Sequence, residues 1–542
     1  MPSLASTTPS SISRFFATQL LAVATACFAC GLCVAAALPR PPQTFDATYV
    51  APTGPMLNVP AGGNFQAALN NARFGDTIVL QAGGTYTGPF TLPKKTAGTG
   101  WIYVISSNYA SLPGPGQRVG PSDAMHMPKI VAPAKINAIV TVANSNHFRF
   151  VGIEFAPVAG AYVYEVIAIG NQDTSPATLP SNIVFDRCYV HGDPTVEDRR
   201  GIEMDGTYVA VVDSYISDFK QAGQDTQGLW AYNTRGPLKI VDNYIEAAGE
   251  NVMFGGEQSL AASLVPADIE IRNNSFFKPL KWIGTSLDVK NLLEFKDAQR
   301  VLVSGNTFQN NPLQNQNGFA LLVTPRDDDG TAPWTITSDI TVIDNTFMNV
   351  GSGFNILGTD DVHSSQETAR LLIRNNVVGV TGLNGSPGRA FQITGGGTDI
   401  TIDHNTIINT ATAPGSPNST LMVADNAPLK TNNFVFTNNL STQTAYGFFG
   451  SVFGEGTRAL NGEFTNWIFA KNAIIGANAA IYPTGNFFPV TIAAVQFTNY
   501  SGGNYSVAQG SPYKHAGTDG LDIGANLTQA VTPNPSTKVI VQ

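Results

Sequence analysis

One short pattern recurs along the chain and limits the folds that are open to it. In its clearest copy, an apolar run at 340–343 meets the pair Asp344-Asn345, and further runs follow at 346–350 and 354–357. The corresponding pairs elsewhere are Asp213-Ser214, Asp242-Asn243, Asn273-Asn274, Gly305-Asn306, Asn375-Asn376, His404-Asn405 and Asn438-Asn439. Their second residues recur at intervals of 29 to 39 residues. A repeat of this length, made of three short strands, predicts a solenoid in which each repeat buries its apolar face against its neighbours.

The asparagine of each pair has a physical role in such a stack. A tight corner between strands needs a residue with positive φ, and Asn tolerates that conformation better than most residues. Asn amides stacked at about 4.8 Å can also hydrogen-bond to one another. β-Hairpins use Asn in their turns too, but hairpins would not give three strands per repeat with one tight corner. We therefore predict an all-β fold, a single-stranded right-handed parallel β-helix of about ten coils and three sheets, its hand following from the general preference for right-handed crossovers.

The composition supports a β-solenoid and limits the partners. The chain has 542 residues, of which 53 are Gly and only 13% are charged. A solenoid can reach this length because it is not limited by the size of one globular core. The formal net charge of −9 argues against nucleic acid, which requires a basic face. An acidic polysaccharide stays open as a partner, because a groove can be locally positive on an acidic protein.

The N-terminal segment is typical of a signal peptide over residues 1–37. Arg14 precedes a largely apolar stretch at 15–34, and Ala35-Ala36-Ala37 offers a cleavage site. An uncleaved membrane anchor is the alternative, because the stretch is long enough to span a bilayer. Cleavage would leave Cys188 as the single cysteine, which we expect to be a buried core residue. The mature chain is then secreted or extracytoplasmic, without disulfides and without stable insertion in a membrane.

The remaining chain divides into three parts. A Pro-rich spacer at 38–60 leads into the solenoid, which we predict for 61–526. Within the solenoid, 64–73 has the pattern of a short amphipathic helix, which would cap the apolar end of the first coil. A C-terminal tail is predicted for 527–542.

Both ends of the predicted solenoid carry a family resemblance. The entry reads FQAALNNARFGDTIVLQAGGTYTG, and the closing segment at 511–526 reads SPYKHAGTDGLDIGAN. These segments resemble the ends of the pectin-lyase-like right-handed β-helix proteins, and the resemblance covers nearly all of the chain after residue 55. It implies the fold and leaves the activity open, since that superfamily includes lyases, glycosidases, esterases, spikes and adhesins.

The third strand of each repeat predicts a working face. In register, these strands place the following residues in an inward column: Ile202, Leu229, Val252, Leu292, Phe319, Phe354, Phe391 and Leu421. One outward column is then polar: Arg200, Gln227, Glu250, Lys290, Asn317, Ser352 and Arg389. The other contains Glu203, Trp230, Met253, Leu293, Ala320, Asn355 and Gln392. The register of the Lys290 coil stays open, because it would point Glu294 inward.

Charge, amides and an exposed aromatic on one face suit a sugar polymer lying along the sheet. The longest loops also flank these coils, as is usual for the working face of a solenoid. The residues that we expect to contact the polymer are Arg200, Gln227, Trp230, Asn317, Asn355 and Gln392.

A central segment, ENVMFGGE followed by VKNLLEFKDAQR, is similar to uncharacterised secreted bacterial β-helix proteins and, more loosely, to family-6 polysaccharide lyases such as alginate lyases and chondroitinase B. Those enzymes use a Lys and an Arg with carboxylate-bound calcium, which implies Lys290 and Arg326 as catalytic residues here. β-Elimination of a uronate requires a base and neutralisation of the substrate carboxylate. We expect the base to be Lys290 or Arg326, with a pKa lowered by neighbouring cations or a metal.

The metal implied by that resemblance is Ca²⁺, which prefers several oxygen ligands, mostly carboxylates. The candidate ligands are Glu250, Glu257 and Asp225, with Asp205 on an adjacent coil. The acidic run 327–329 is interpreted as a turn rather than as a metal site.

Two other functions stay open. A glycoside hydrolase needs two carboxyls that flank the scissile bond. Asp360-Asp361 and His363 are similar to part of the polygalacturonase set, but the chain lacks the Gly-His-Gly and Arg-Ile-Lys motifs of that family. The other alternative is a non-catalytic protein that binds glycan at the cell surface.

Overall fold

The computed structural model describes residues 36–96, 98–170, 172–411 and 419–527. These residues form a right-handed parallel β-helix with three long sheets, which the chain enters in turn on every coil. The predicted fold class is confirmed. The sheets have 13 to 15 strands, more than the ten or so coils predicted, because the coils at both ends lack the polar pair that marks the repeat.

Three sheets account for nearly all of the strands. Sheet 1 consists of Met56–Val59, Thr77–Leu80, Ile102–Ser106, Asn146–Val151, Ser181–Asp186, Thr207–Val212, Leu238–Val241, Ala267–Arg272, Ala298–Ser304, Thr337–Ile343, Ala369–Arg374, Thr398–Asp403, Thr431–Thr437, Phe464–Thr465 and Ile468–Ala470. Sheet 2 consists of Thr85–Thr87, Lys129–Ala132, Glu154–Pro157, Tyr189–His191, Tyr215–Phe219, Tyr244–Ala247, Ser275–Phe277, Thr307–Asn311, Thr346–Val350, Val377–Val380, Thr406–Asn409, Leu440–Thr442 and Ala473–Ile475. Sheet 3 consists of Phe90–Leu92, Ile139–Thr141, Glu165–Ile169, Arg200–Met204, Gln227–Ala231, Glu250–Phe254, Leu293–Phe295, Phe319–Val323, Ser352–Leu357, Arg389–Thr394, Thr420–Asp425, Phe448–Gly450 and Gly454–Glu455.

The corner asparagines stack in one buried column, as predicted. Its members are Asn243, Asn274, Asn306, Asn345, Asn376, Asn405, Asn439, Asn472 and Asn486. Each member except the last, Asn486, donates from Nδ2 to Oδ1 of the next member, at 2.9 to 3.2 Å. The backbone N–H of each donates to the same Oδ1, as from Asn345 to Asn376 at 2.9 Å. Copies of one residue thus satisfy each other's buried polar groups and hold the coils in register.

The column continues toward the N-terminus without Asn. The N–H of Ser214 donates to Asn243 Oδ1 at 2.9 Å, and the N–H of Cys188 donates to Ser214 Oγ at 3.0 Å. Cys188 is completely buried, as predicted for a core residue, and burial raises the pKa of its thiol to about 12. These substitutions explain why the repeat could not be followed in the sequence before residue 213.

The positive φ that we predicted for the corner belongs to the residue before the ladder asparagine. Asp242, Asn273 and Asp344 have φ values of 54°, 58° and 62°. The left-handed residue makes the turn, so the next residue can direct its amide into the interior. The two positions of each polar pair therefore have separate roles.

Helix Phe65–Asn71 covers the first coil, as predicted. Asn64 caps it, since its Oδ1 accepts the N–H of Ala67 at 2.8 Å. Phe65 and Leu69 are buried against the apolar end of the solenoid. Short 3-10 turns lie at Tyr109–Ser111, Pro121–His126, Ala262–Leu264, Leu280–Trp282, Leu383–Gly385, Ala479–Ile481 and Ile492–Val495.

The spacer expected at 38–60 is an ordered part of the fold. Its last residues form Met56–Val59, the first strand of sheet 1, so the β-helix begins five residues earlier than predicted. Upstream, the chain lies against sheet 1, where Arg40 forms an ion pair with Asp339 at 2.6 Å. Composition alone could not predict these partners, because they come from distant coils.

The C-terminal end is closed by helix Thr457–Glu463 and by an antiparallel pair, Phe497–Asn499 with Asn504–Val507. No helix of the described ranges is long and apolar enough to cross a membrane. The predicted signal peptide and C-terminal tail lie almost wholly outside the described residues, and secretion therefore stays a prediction.

The inward column of sheet 3 differs from the predicted one on three coils. Its observed members include Ile202, Leu229, Val252, Leu293, Leu321, Phe354, Phe391 and Met422. Leu293, Leu321 and Met422 thus take the positions predicted for Leu292, Phe319 and Leu421. The shift arises because the loops before these strands differ in length, so the spacing of the repeat does not fix where each strand starts.

Candidate functional site

The strand register sets two columns of side chains on the outer face of sheet 3. The first contains Glu165, Arg200, Gln227 and Glu250 on adjacent coils. The second contains Glu203, Trp230, Met253, Glu294, Leu322, Asn355 and Gln392. The predicted register is correct for the coils of Arg200, Gln227 and Glu250. It is wrong for Lys290 and Asn317, which we placed in the first column but which lie in the loops before their strands. The corrected register turns Glu294 outward.

A chain of hydrogen bonds joins the first column. Arg200 Nη1 contacts Glu165 Oε1 at 3.0 Å, and Arg200 Nε donates to Gln227 Oε1 at 2.7 Å. Gln227 Nε2 then donates to Glu250 Oε2 at 2.7 Å. Arg200 and Gln227 are buried. The polar groups that we expected to contact a sugar therefore bond mainly to one another.

Trp230 is not the exposed aromatic that we predicted. It is only 5% exposed, and its Nε1 donates to the carbonyl of Gly255 at 2.8 Å. The guanidinium of Arg200 lies 3.7 Å from the ring centroid, and Tyr232 stacks on the ring at 4.6 Å. Coils about 4.8 Å apart bring long neighbouring side chains over an outward ring, and the sequence does not show this covering.

Lys290 forms an ion pair with Asp225 from a coil two steps earlier. Burial alone would lower the pKa of Lys290, but the carboxylates of Glu250 and Asp225 outweigh it and raise the pKa above its ordinary value. The predicted lowered pKa is therefore wrong. The reason is the local charge balance, since the carboxylates around this lysine, including Glu294, outnumber the cations.

Lys296 is a candidate site residue that the sequence reasoning missed. It directly follows strand Leu293–Phe295, and its Nζ lies 3.9 Å from Glu294 Oε1. Glu294 raises the pKa of Lys296, against the opposite effect of burial. The backbone N–H of Arg326 donates to the carbonyl of Lys296 at 3.1 Å, which places the two cations on adjacent coils. The Glu-x-Lys spacing at 294–296 is the signal that could have found it, because alternation puts both side chains on one face.

Arg326 forms ion pairs with Asp360 and Asp361, the two carboxylates that are similar to part of the polygalacturonase set. Its Nη1 lies 2.5 Å from Asp360 Oδ1 and 2.7 Å from Asp361 Oδ1. The next residue, Asp327, accepts the N–H of Gly330 at 3.0 Å. The acidic run therefore forms a turn, as expected, and this turn positions the arginine.

Two buried oxygens in the cluster lack a hydrogen-bond partner. They are Glu250 Oε1 and Asn291 Oδ1. The register of Val252 with Leu293 places these two residues at equivalent positions on adjacent coils. Burial, and then the carboxylates of Asp225 and Glu294, raise the pKa of Glu250. An additional cation would both satisfy these oxygens and relieve the repulsion between the carboxylates.

The calcium set that we predicted is not assembled. Glu257 is exposed in the loop after strand Glu250–Phe254, and Asp225 is bonded to Lys290. Within the described ranges, no group of three or more His, Cys, Asp or Glu is arranged to hold a metal. A set of two carboxylates and an amide, Glu250, Glu294 and Asn291, matches the oxygen chemistry that calcium prefers. Asn291 Nδ2 donates to Glu294 Oε2 at 2.8 Å, so these two side chains are already in contact.

A second group of carboxyls lies three coils before Glu294. Burial, Asp205 and Glu165 raise the pKa of Glu203 well above its ordinary value. Asp205 is buried, and its Oδ1 accepts the N–H groups of Tyr232 and Asn233 at 2.9 and 3.0 Å. Protonation of Glu203 is thus favoured by burial and by the two neighbouring carboxyls.

The later coils of the face are more open. Asn355 and Gln392 are half-buried, and Gln392 Nε2 donates to Asn355 Oδ1 at 3.0 Å. Asn317 is exposed in the loop before its strand. A cavity of about 620 Å³ lies elsewhere, on the outer side of sheet 2 beside Lys129 and His191. The candidate site on sheet 3 is thus an elongated face rather than an enclosed pocket.

Comparison with known proteins supports the fold. Neither a protein-family model nor a curated protein sequence matches the chain. Among solved structures, the PL6 family alginate lyase AlyGC matches with a TM-score of 0.50 and 13% identity over 88% of this chain, which spans 59% of the length of that lyase. A GH87 α-1,3-glucanase from Streptomyces thermodiastaticus strain HF3-3 matches with a TM-score of 0.48 and 15% identity, over 82% of this chain and 69% of the glucanase. A mannuronic acid specific polysaccharide family 6 lyase from human gut microbiota matches at 0.47 and 11%, over 80% of this chain and 90% of that lyase. The chain is a right-handed parallel β-helix protein, and at these identities the likeness extends to the fold alone.

Proposed function

We propose that the protein cleaves an acidic, uronate-containing polysaccharide by β-elimination on the outer face of sheet 3. The proposal rests mainly on the cluster of Lys290, Lys296 and Arg326 on two adjacent coils, where each cation pairs with a carboxylate. Removing the proton α to a carboxylate creates negative charge that such cations stabilise. The proposal rests on this site, because the shared fold accommodates several activities.

The roles follow from the charges and the exposure. Arg326 and Lys296 are partly exposed cations that bind the uronate carboxylate. Lys290 accepts the proton from the carbon next to that carboxylate. The bond to the glycosidic oxygen breaks as the double bond forms, and the leaving oxygen takes up a proton from solvent water. Because the pKa of Lys290 is raised, only a small fraction of this lysine is unprotonated at neutral pH, so turnover increases with pH.

A calcium ion fits the proposal through Glu250, Asn291 and Glu294, whose donors include the two unpartnered buried oxygens. When bound, calcium supplies additional positive charge toward the substrate carboxylate. The chain's own residues keep their roles, with Glu250 and Glu294 setting the charge state of the two lysines. Calcium binding is tested separately from turnover, by calorimetric titration of the wild type and of Glu250→Gln.

The experiment is a turnover assay on a panel of uronate polysaccharides and neutral glucans, with calcium and with a chelator. The wild type should release products with the ultraviolet absorbance of an unsaturated uronate. Lys290→Ala and Arg326→Ala should each lower turnover by a factor on the order of 10² or more. Lys94→Ala is the matched control, since Lys94 is exposed at the remote end of the solenoid.

A pH profile distinguishes a base from a structural ion pair. Asp225→Asn removes a carboxylate that raises the pKa of Lys290, so the profile should move toward neutral pH. An unchanged profile in Asp225→Asn, or full activity in Lys290→Ala, would show that Lys290 is not the base.

A second candidate function is glycoside hydrolysis, which the raised pKa of Glu203 favours. A carboxyl group with a raised pKa is suited to protonate a leaving glycosidic oxygen. Glu165, on the preceding coil, is the second carboxyl. New reducing ends without ultraviolet absorbance, lost in Glu203→Gln, would favour this function over elimination.

A further inference from the structure

One cation in the first outward column of sheet 3, Arg389, differs from its neighbours in its charge environment. Four other cations on or beside this face, Arg200, Lys290, Lys296 and Arg326, each lie within ion-pair distance of Asp or Glu. Arg389 has no such partner, and the nearest charge that acts on it is Asp425. Residues 412–418, which lie outside the described ranges, contain no Asp or Glu in the sequence. Arg389 is therefore a guanidinium on the working face without an internal counter-charge.

The neighbours of Arg389 fix its orientation but leave part of its hydrogen-bonding capacity unused. Its Nη1 donates to Gln392 Oε1 at 2.6 Å, and its backbone N–H donates to Ser352 Oγ at 3.1 Å. Its Nε is buried and has no hydrogen-bond partner. Thr420, paired with Arg389 on the next coil, likewise has a buried Oγ1 without a partner. Two unsatisfied polar atoms at one place, each costing about 1–3 kcal/mol when unpaired, are a second sign of a missing ligand.

An exposed aromatic lies along the same face. The second outward column continues from Gln392 through Val423 to Phe449. Tyr446 packs against Phe449 with a ring separation of 5.2 Å and is 37% exposed. An exposed tyrosine offers both apolar area and a polar tip to a sugar ring. Tyr446 therefore offers, near the C-terminal coils, the exposed aromatic ring that we had expected of Trp230 nearer the N-terminus.

We infer that Arg389, with Gln392 and Asn355, forms a second subsite that binds the carboxylate of a uronate residue, and that Tyr446, two strands further along the sheet, contacts a following sugar ring. A planar guanidinium with free N–H groups matches the two oxygens of a carboxylate, which a lysine would not do as well. Gln392 and Asn355 already form a hydrogen-bonded pair beside it. This inference rests on the proposed acidic polysaccharide and adds a second point, at Arg389, where a carboxylate of that polymer binds.

The strand order gives the distance between the two parts of the site. Strand Arg389–Thr394 lies three steps after Leu293–Phe295 in sheet 3. At about 4.8 Å per step, the separation is roughly 14 Å. A short oligosaccharide held at Lys290 and Lys296 does not reach Arg389, whereas a longer one contacts both. The subsite therefore predicts that affinity increases with chain length.

The test is calorimetric titration of the full chain with oligogalacturonates and oligoguluronates, from disaccharide to decasaccharide. We expect Arg389→Ala to weaken binding of the long oligomers by a factor on the order of ten or more, and to leave the disaccharide unaffected. Arg389→Lys should weaken binding to an intermediate degree, because lysine keeps the positive charge but lacks the two parallel N–H donors of the guanidinium. Arg73→Ala, an exposed arginine on the remote end, is the control. If Arg389→Ala does not fold, as judged by circular dichroism, Arg389→Gln replaces it.

The outcomes separate this inference from the proposed function. Length-dependent binding that is lost in the Arg389 variants, without turnover by the wild type, supports the subsite and contradicts the lyase. Turnover with identical affinities in wild type and Arg389 variants supports the lyase and overturns the subsite. No binding of any uronate oligomer by the wild type overturns both.

Discussion

Replacing one ladder asparagine tests the interaction that defines the fold. Asn345 is completely buried in the middle of the column. Its Nδ2 donates to Val303 O, Ile343 O and Asn376 Oδ1 at 3.0, 2.9 and 3.0 Å. Its Oδ1 accepts the N–H and the Nδ2 of Asn306 at 2.9 and 3.0 Å. Asn345→Ala removes all five of these hydrogen bonds at once.

The cost can be worked out from what is left unpaired. The buried N–H of Asn306 has no other partner, and an unsatisfied group of this kind costs about 1–3 kcal/mol. Each of the four other hydrogen bonds adds about 0.5–1.5 kcal/mol, the cost for a partner that keeps a second contact. Adding the one unsatisfied group and the four other bonds gives an expected loss of about 3–9 kcal/mol in the free energy of unfolding. Asn317→Ala, at an exposed loop position, should cost less than about 0.5 kcal/mol.

The assay is urea unfolding followed by far-ultraviolet circular dichroism, with hydrogen exchange to locate the loss. Because each coil contacts only its neighbours, the weakening should be largest on the coils next to residue 345. A stability within about 1 kcal/mol of the wild type would falsify the view that the ladder is a main determinant of stacking. The reasoning is also refuted if the control Asn317→Ala costs as much stability as Asn345→Ala.

Two further predictions concern buried charged groups. Burial raises the pKa of Asp297 to about 7 from an ordinary 3.8. Its contribution to stability is therefore fully present below pH 3.8 and is lost as the pH rises through about 7, with a slope of up to about 1.4 kcal/mol per pH unit. Asp297→Asn should flatten the dependence of the thermal midpoint on pH in this window, and an unchanged dependence would contradict the assignment. Lys278 is buried, and its Nζ donates to the carbonyls of Ala247, Ala248 and Gly249 at 2.7 to 2.9 Å. Lys278→Met should lower the free energy of unfolding by about 2–4 kcal/mol, measured by urea unfolding beside the exposed control Lys281→Met, and equal stabilities of the two variants would refute it.

Local sequence predicted which side chains share the outer face of sheet 3, but it did not predict their burial or their pKa values. Alternation placed Arg200, Gln227 and Glu250 on one face, because the direction of successive side chains is a property of each strand by itself. The burial of Trp230 and the raised pKa of Lys290 depend on side chains from other coils. The sequence does not give those distances, so it predicted an exposed ring and a lowered pKa.

The sequence by itself determined the β-helix, the asparagine ladder and the capping helix. Each follows from a pattern that repeats within one coil or lies next to one turn, so the physics is local. Tertiary structure decided where each strand starts after loops of unequal length, which moved Leu293 into the core and Glu294 out of it. It also decided which cations have partners, leaving Arg389 unpaired while Lys290 meets Asp225. Hydrogen bonding between coils fixes the register, and the register determines which charges meet.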